Sequence, residues 1–380
     1  MTLKDDIQAE AYDLGFSLTG TTQAAPPPHL EVYNRWVDSG LHAEMAFLAT
    51  ERNRSRRADL SQILPDCRTV IVLGVRYPHP ASLPQPPASP AHGRVAAYAW
   101  GEDYHSVLIP RLETLAARII TLAGKPVRWR AYTDTGPLLE RSLSQRAGLG
   151  WFGKNTCLIS PQHGSFFFLA ELLLDIEIDP DEPFTANRCG TCRRCIDACP
   201  TACILPDHTI NAARCIAYLT IEHRGTIARE LRPLLGDRVI GCDGCQAVCP
   251  WNARLSASAG DPAFAPRPGI PYPLLGEDIL LSVQGFKHKF HNNAALRARS
   301  RGYRRNLAVA IGNSRDPDLV PILEQVIHAD PEPLVRSHAA WGLGALATAA
   351  SRRALERARR TEMDQSVREE IDTALENPAR

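Results

Sequence analysis

The sequence predicts an α+β protein in three parts, on three observations. Strand-like runs alternate with helical periods over residues 1–180, which is how a sheet with packed helices is encoded. Eight of the nine cysteines between residues 189 and 249 stand in iron–sulfur spacing. Beyond residue 281, short helical units are separated by Asp-Pro dipeptides, the pattern of stacked helical repeats. The expected ranges are an α/β domain at 1–180, a two-cluster ferredoxin-like module at 181–255, a linker and basic segment at 256–295, and a HEAT-like helical domain at 296–380.

The first range divides as follows. Leu3, Ile7, Ala11 and Leu14 share one face of a helix over 3–15. Pro26-Pro27-Pro28 closes that region, and 29–50 predict one or two further helices. Arg52, Arg54, Arg56 and Arg57 follow closely, readable as a solvated face or as an anion contact. Residues 69–75 predict a buried strand, and the proline-rich 78–90 a loop or flap. Leu108, Leu112, Leu115, Ile119 and Leu122 mark a helix over 107–123, stopped by Gly124-Lys-Pro126. Residues 127–132 alternate as a strand with one wet face, 133–137 form a turn, and 138–147 a helix. Gly148-Leu-Gly150-Trp-Phe-Gly153 precedes no clear helix, so a dinucleotide fingerprint is weak; its glycines are expected to let backbone approach a large planar ligand. Residues 165–178 are a long apolar strand or a pair of strands.

The chain of 380 residues is 44% hydrophobic, enough for a substantial core and too apolar for a largely disordered protein. Its formal charge of +1 announces no polyanion partner globally, so any nucleic-acid site must be a local patch. The charged start, Met1-Thr-Leu-Lys-Asp-Asp, lacks the apolar core of a signal peptide, and no run reaches the length of a membrane span. Cluster ligands need reduced thiolates, so the cytoplasm is the expected location.

The cysteines carry the strongest signal. Cys189-x2-Cys192-x2-Cys195-x3-Cys199-Pro200 is a bacterial ferredoxin run, and Cys215 with Cys242-x2-Cys245-x3-Cys249-Pro250 is its partner. In two-cluster ferredoxins the cysteine before proline ligates the other cluster. That rule assigns Cys189, Cys192, Cys195 and Cys249 to one [4Fe–4S] cube, and Cys199, Cys215, Cys242 and Cys245 to the second. Paired structural zinc sites are the alternative, but those usually use two separated Cys pairs. Cys67 and Cys203 are expected to be packing residues, and Cys157 is a weak nucleophile candidate.

Residues 281–310 hold Lys287, Lys289, Arg297, Arg299, Arg301, Arg304 and Arg305, with no Asp or Glu and with Phe286, Phe290 and Tyr303 interspersed. A one-sign patch with aromatics predicts nucleic acid as partner. Asp134, just past a strand, reads either as a turn-capping residue or as a general acid whose pKa burial raises. Asp103-Tyr-His105-Ser-Val-Leu108 lacks the final glycine of the cobalt-ligating D-x-H-x-x-G pattern. His105 is therefore expected to be a hydrogen-bonded residue at a helix start.

Four segments together resemble the epoxyqueuosine reductase family over nearly the whole chain. They are Thr133-Asp-Thr-Gly-Pro-Leu-Leu-Glu-Arg141, Ala147-Gly-Leu-Gly-Trp-Phe-Gly-Lys-Asn-Thr156, Cys215-Ile-Ala-Tyr-Leu-Thr-Ile-Glu222 and Gly241-Cys-Asp-Gly-Cys-Gln-Ala-Val-Cys-Pro-Trp-Asn252. The resemblance implies an oxidoreductase with two [4Fe–4S] clusters and base-off cobalamin, reducing epoxyqueuosine to queuosine at the tRNA wobble base, the last step of queuosine synthesis. It implies Asp134 as proton donor, and Arg57, Asn155 and Asp243 beside it as residues bordering the corrinoid. The implied partners are tRNA with a GUN anticodon carrying epoxyqueuosine and an unidentified electron donor, and a monomer is expected. Epoxide-to-alkene conversion consumes two electrons and two protons and releases water. Two other readings stay open: a corrinoid iron–sulfur reductive dehalogenase, for which an export signal and no basic tail are expected, and a ferredoxin-type electron-transfer module, which requires no pocket acid.

Overall fold

The computed structural model describes residues 2–85, 91–255 and 260–376. Part of the expected flap (86–90) and the first residues of the expected linker (256–259) lie outside the described residues. The chain folds into two compact units, each assembled from separated segments. One holds Met1–Ser82, Gly101–Ala213 and Asp243–Ala265; the other holds Leu83–Trp100, Arg214–Cys242 and Pro266–Arg380. The cysteine-rich range is thus divided between them.

Eight strands run along the described residues: β1 (Leu18–Gln23), β2 (Thr69–Arg76), β3 (Arg94–Val95), β4 (Trp129–Tyr132), β5 (Trp151–Phe152), β6 (Leu158–Ile159), β7 (Phe167–Leu174) and β8 (Arg238–Ile240). The first unit is built on a sheet of order β1-β2-β7-β4, antiparallel at every pairing. The apolar run at 165–178 yields one strand, β7, rather than two. One face of β7 presents Phe167, Leu169 and Leu173 to a core shared with Val70, Val72, Leu138, Leu143 and Ala147. Phe168, on the opposite face, stacks on Tyr104 of helix Tyr104–Ala123. That helix begins at 104 rather than 107 because the Asp103 carboxylate caps it, accepting from the His105 N–H at 3.0 Å. Gly124 ends it in the left-handed region at φ 62°. The helix after the turn is Glu140–Arg146, shorter at its start than expected, because the turn extends through Leu139.

In the second unit β3 and β8 pair in parallel, which is why 214–242 belongs here. Helices Arg299–Ser314, Val320–Ala329, Pro333–Leu346, Ala349–Thr361 and Gln365–Glu376 form the expected repeats. Arg299–Ser314 and Pro333–Leu346 approach at two glycines. A Cβ on Gly312 would stand 2.9 Å from the Gly342 Cα, and one on Gly342 2.9 Å from the Ala308 carbonyl. Arg299–Ser314 is buried almost all round from Gly302 to Gly312, as a central helix must be. Phe286, Phe290 and Tyr303, expected beside a polyanion, instead pack against one another inside this unit, with ring centroids 5.1 to 5.6 Å apart. No described helix is long and apolar enough to cross a membrane.

Candidate active site

Asp134 sits at the end of β4 in a left-handed conformation, φ 58°. A non-glycine residue holds that conformation at a cost, so its surroundings must fix it. Two contacts do so. The Asp134 backbone N–H donates to the Glu140 carboxylate at 2.7 Å, and its Oδ2 accepts from the Tyr104 hydroxyl at 2.7 Å. The aspartate itself is exposed, so the expected burial of Asp134 is corrected: in this structure the enclosed carboxyls lie behind it.

Those carboxyls are Glu140 and Glu171. Glu171 stands on central strand β7, opposite Val72 and Tyr132, and is 0% exposed. As a carboxylate it would have no donor on either oxygen. Glu140 is partly exposed along its stem, but its carboxyl turns inward toward Glu171. Burial, then the Asp134 charge, pushes Glu140 up to about 7. Burial, then Glu140 and Asp134, pushes Glu171 well above the ordinary range. Two enclosed carboxyls in contact cannot both ionise, so one proton is held between them. Sequence reasoning missed both residues. The signal was a single glutamate inside the apolar run Phe167-Phe-Leu-Ala-Glu171-Leu-Leu-Leu174.

Other groups face the same acids. His105 stacks on Tyr104 at 4.1 Å and its Nδ1 lies 2.6 Å from Asp103, the helix-start role expected of it. Half-burial opposes its charge, but Asp103, with Asp134 and Glu140, raises its pKa overall. Arg57 is buried, donates to the Asn53 carbonyl at 3.3 Å and lies over the Tyr33 ring at 5.2 Å. Burial lowers its pKa, and Tyr33 and then Glu140 oppose that, so Arg57 is not on a solvated face and feels the charge of the acid group.

The glycine-rich loop has a different role from the one expected. A Cβ on Gly150 would stand 2.1 Å from the Ile159 carbonyl, and one on Gly148 2.8 Å from the Glu182 carbonyl. These glycines close the β5–β6 hairpin and its packing; the backbone approaches are internal to the protein. The loop then reaches the cysteine run. Trp151 Nε1 donates to Cys189 Sγ at 3.4 Å, and Lys154 Nζ donates to the Gly190 and Cys192 carbonyls at 2.7 and 2.9 Å. Asn155, buried, donates to the Cys245 carbonyl at 3.4 Å. Cys249 packs with Trp151, Ile159 and Cys189. Burial and the nearby Cys189 and Cys249 raise the Cys195 thiol, so these three sulfurs share one neighbourhood. Cys199, Cys192, Cys245 and Asp243 belong to the same unit, Cys215 and Cys242 to the other. Cys203 is buried, and burial pushes the Cys67 thiol up to about 11, as packing residues require. Cys157 is half-buried near Cys249.

The basic segment of the second unit needs the largest correction. Arg305 is fully buried and donates to the carbonyls of Leu219, His223 and Gly225, closing the end of helix Ile216–Ile221. Arg304 is buried against Asp330. Lys289 is half-buried and bonded to both Asp278 oxygens at 2.6 and 2.7 Å. The acids that answer these cations lie outside the 281–310 window, so the local one-sign pattern did not mean a one-sign surface. Arg304, Arg305 and Lys289 are therefore not available to a polyanion as expected. Lys287, Arg297, Arg299 and Arg301 are exposed. Arg297 also pairs with Glu222 at 2.8 Å. Arg224, which sequence reasoning did not select, feels the charges of Arg297, Arg299 and Arg301 and joins their cluster.

Known proteins match three stretches of the chain. Residues 57–135 match the family described as "Epoxyqueuosine reductase QueG, DUF1730", 188–252 a 4Fe-4S double cluster binding domain, and 293–376 HEAT repeats. An epoxyqueuosine reductase of Pseudomonas aeruginosa is 38% identical over 344 residues, covering 90% of this chain and 94% of that protein. The crystal structure of an epoxyqueuosine reductase with an epoxyqueuosine-modified tRNA-Tyr stem loop is 31% identical, covers 98% of each chain and superposes with a TM-score of 0.90. A Bacillus subtilis epoxyqueuosine reductase whose catalytic aspartate loop is swung out of the active site is 30% identical, covers 99% of each chain and has a TM-score of 0.89. With matched sequence, matched fold and a double-cluster domain over nearly its whole length, the chain belongs to the epoxyqueuosine reductase family.

Proposed function

We propose that the chain reduces epoxyqueuosine to queuosine at the wobble position of tRNA carrying a GUN anticodon. The observation that carries this reading is the Asp134 turn. It offers an exposed carboxyl, held by Tyr104 and Glu140, in the same compact unit as most of the cluster cysteines. Asp134 donates the proton that the alkoxide takes up as the epoxide C–O bond breaks. The dehalogenase and simple electron-transfer readings give way to the relatives over 90% of the chain.

Donor chemistry supports both groups that the reading requires. Thiols of Cys189, Cys195 and Cys249 lie in one neighbourhood, an all-sulfur donor set that suits an iron–sulfur cube. Cys192 completes that set in the reading, and Cys199, Cys215, Cys242 and Cys245 hold the second cube. Arg57, Asn155 and Asp243 offer a guanidinium, an amide and a carboxylate to the amide side chains of a corrin, bound base-off. Bound cobalamin supplies a reducible cobalt centre for C–O cleavage. Lys287, Arg297, Arg299 and Arg301, with Arg224, contact tRNA phosphates, which positions the anticodon arm without reading its sequence. Cluster thiolates need reducing conditions, which supports a cytoplasmic location, and the reading includes a monomer served by a separate electron donor.

The test uses anaerobically reconstituted protein with cobalamin and an epoxyqueuosine stem loop. Queuosine should form, with about eight irons bound per chain. Asp134→Asn should bind the stem loop but lose turnover by about a hundredfold or more. Wild-type turnover by that variant removes Asp134 from the acid role. Loaded protein that forms no queuosine overturns the function.

A further inference from the structure

The acid turn has a second layer. Glu171 is fully enclosed on β7 with no donor for either oxygen as a carboxylate, and it meets the carboxyl of Glu140. Glu140 in turn accepts the Asp134 backbone N–H at 2.7 Å, the bond that holds Asp134 at φ 58°. An isolated glutamate in the centre of a sheet costs stability unless it is neutral or paired, and a purely structural position would be filled more cheaply by an apolar side chain. We propose that Glu171 and Glu140 are positioning residues which share one proton, and that this proton latches the Asp134 turn in its working pose. This rests on the reading of Asp134 as the proton donor.

The latch follows from charge. With one proton in the pair, Glu171 donates to Glu140, and Glu140 stays ionised as a strong acceptor for the Asp134 N–H. When that proton leaves, two adjacent carboxylates with Asp134 beside them repel, Glu140 is driven off and the turn loses its anchor. Burial raises both glutamates, Glu140 to about 7 and Glu171 well above its ordinary value, which puts this release near or above neutrality. The groups facing the pair are Asp134 and Arg141 from the turn and its helix, Tyr132 from β4, Tyr104 and His105 from helix Tyr104–Ala123, and Arg57 from helix Glu51–Ala58. His105 is a further titratable group beside the pair, with its pKa raised by Asp103, so the test must separate it from the glutamates.

Loaded enzyme and epoxyqueuosine stem loop are assayed from about pH 6 to about pH 9, alongside hydrogen exchange of the 133–137 segment, corrected for intrinsic rates. Wild type should lose kcat at the alkaline end while the Asp134 amide loses protection. Glu171→Gln, which keeps a neutral donor at every pH, should move that limb upward by about one pH unit or more and keep the amide protected. Glu171→Leu should lower kcat about tenfold across the range with KM changed little, as a mispositioned acid does. Glu140→Gln, which keeps the acceptor oxygen, repeats the Glu171→Gln test if that variant does not fold. An alkaline limb and an exchange profile unchanged in the glutamine variants assign the limb to His105 and overturn the latch. Wild-type enzyme that never forms queuosine fails the functional reading instead, while the exchange measurement still judges the latch.

Discussion

Arg301 and Arg305 are four residues apart on one helix, carry the same charge and do unrelated things. Arg305 donates to three carbonyls at the end of another helix from a fully buried position, whereas Arg301 is exposed, donates to the Arg224 carbonyl at 3.0 Å and lies 4.0 Å from Glu332. Removing a buried guanidinium leaves its acceptors without donors, so Arg305→Ala should destabilise the protein by about 3 kcal/mol, read by chemical denaturation. Arg301→Glu should leave stability within about 0.5 kcal/mol. It should weaken stem-loop binding and reduce the salt dependence of log K by roughly one ion. Equal binding by the Arg301 variant moves the tRNA surface elsewhere. Whether an arginine is a phosphate contact or an internal cap was not legible from a window of sequence, because Asp330, Asp278, Glu222 and the helix-end carbonyls come from other segments.

At the scale of elements, the β5–β6 hairpin is the piece whose role changed most. Its glycines serve its own packing, and the hairpin delivers Trp151, Lys154 and Asn155 to the cysteine loops. A hydrogen bond to a ligating sulfur delocalises thiolate charge and favours the reduced cluster, which raises its potential. Trp151→Phe keeps the aromatic packing on Trp251 and Phe184 but removes the N–H. Redox titration followed by electron paramagnetic resonance should therefore show a more negative potential for the cube that the proposed reading assigns to Cys189, with its neighbour shifted less. No shift would mean that the Trp151 N–H does not reach the cluster sulfur. The glycine spacing announced a tight loop; only the partner strand, with Ile159 a hydrogen bond away, showed what the tightness was for.

For the whole molecule the buried acids set a pH dependence. Unfolded, Glu140 and Glu171 ionise near the ordinary 4.5; folded, burial raises both, Glu140 to about 7, and the pair keeps its shared proton well above the ordinary range. The native state thus binds more protons across that window, so these groups lower stability as pH rises from about 4.5 through neutrality, and contribute nothing below it. Glu171→Gln cannot ionise. It should be more stable than wild type by on the order of 2 kcal/mol at pH 8, with the difference vanishing near pH 4.5, measured as Tm against pH. A difference that persists at pH 4.5 would trace to packing rather than to the proton.

The sequence by itself determined what depends on local spacing: the cysteine runs, the strands at β2 and β4, the helix over Leu108 to Leu122, the repeat helices, and the segments that resemble a known family. Cluster ligands and helix faces are written in intervals of two to four residues, so one dimension suffices for them. Tertiary structure decided which charges are answered, which carboxyls are enclosed, and how the cysteine-rich range divides between two compact units. Burial and charge pairing depend on neighbours brought together from distant segments, such as Glu171 beneath Glu140 and Arg304 against Asp330, and no interval along the chain records that proximity.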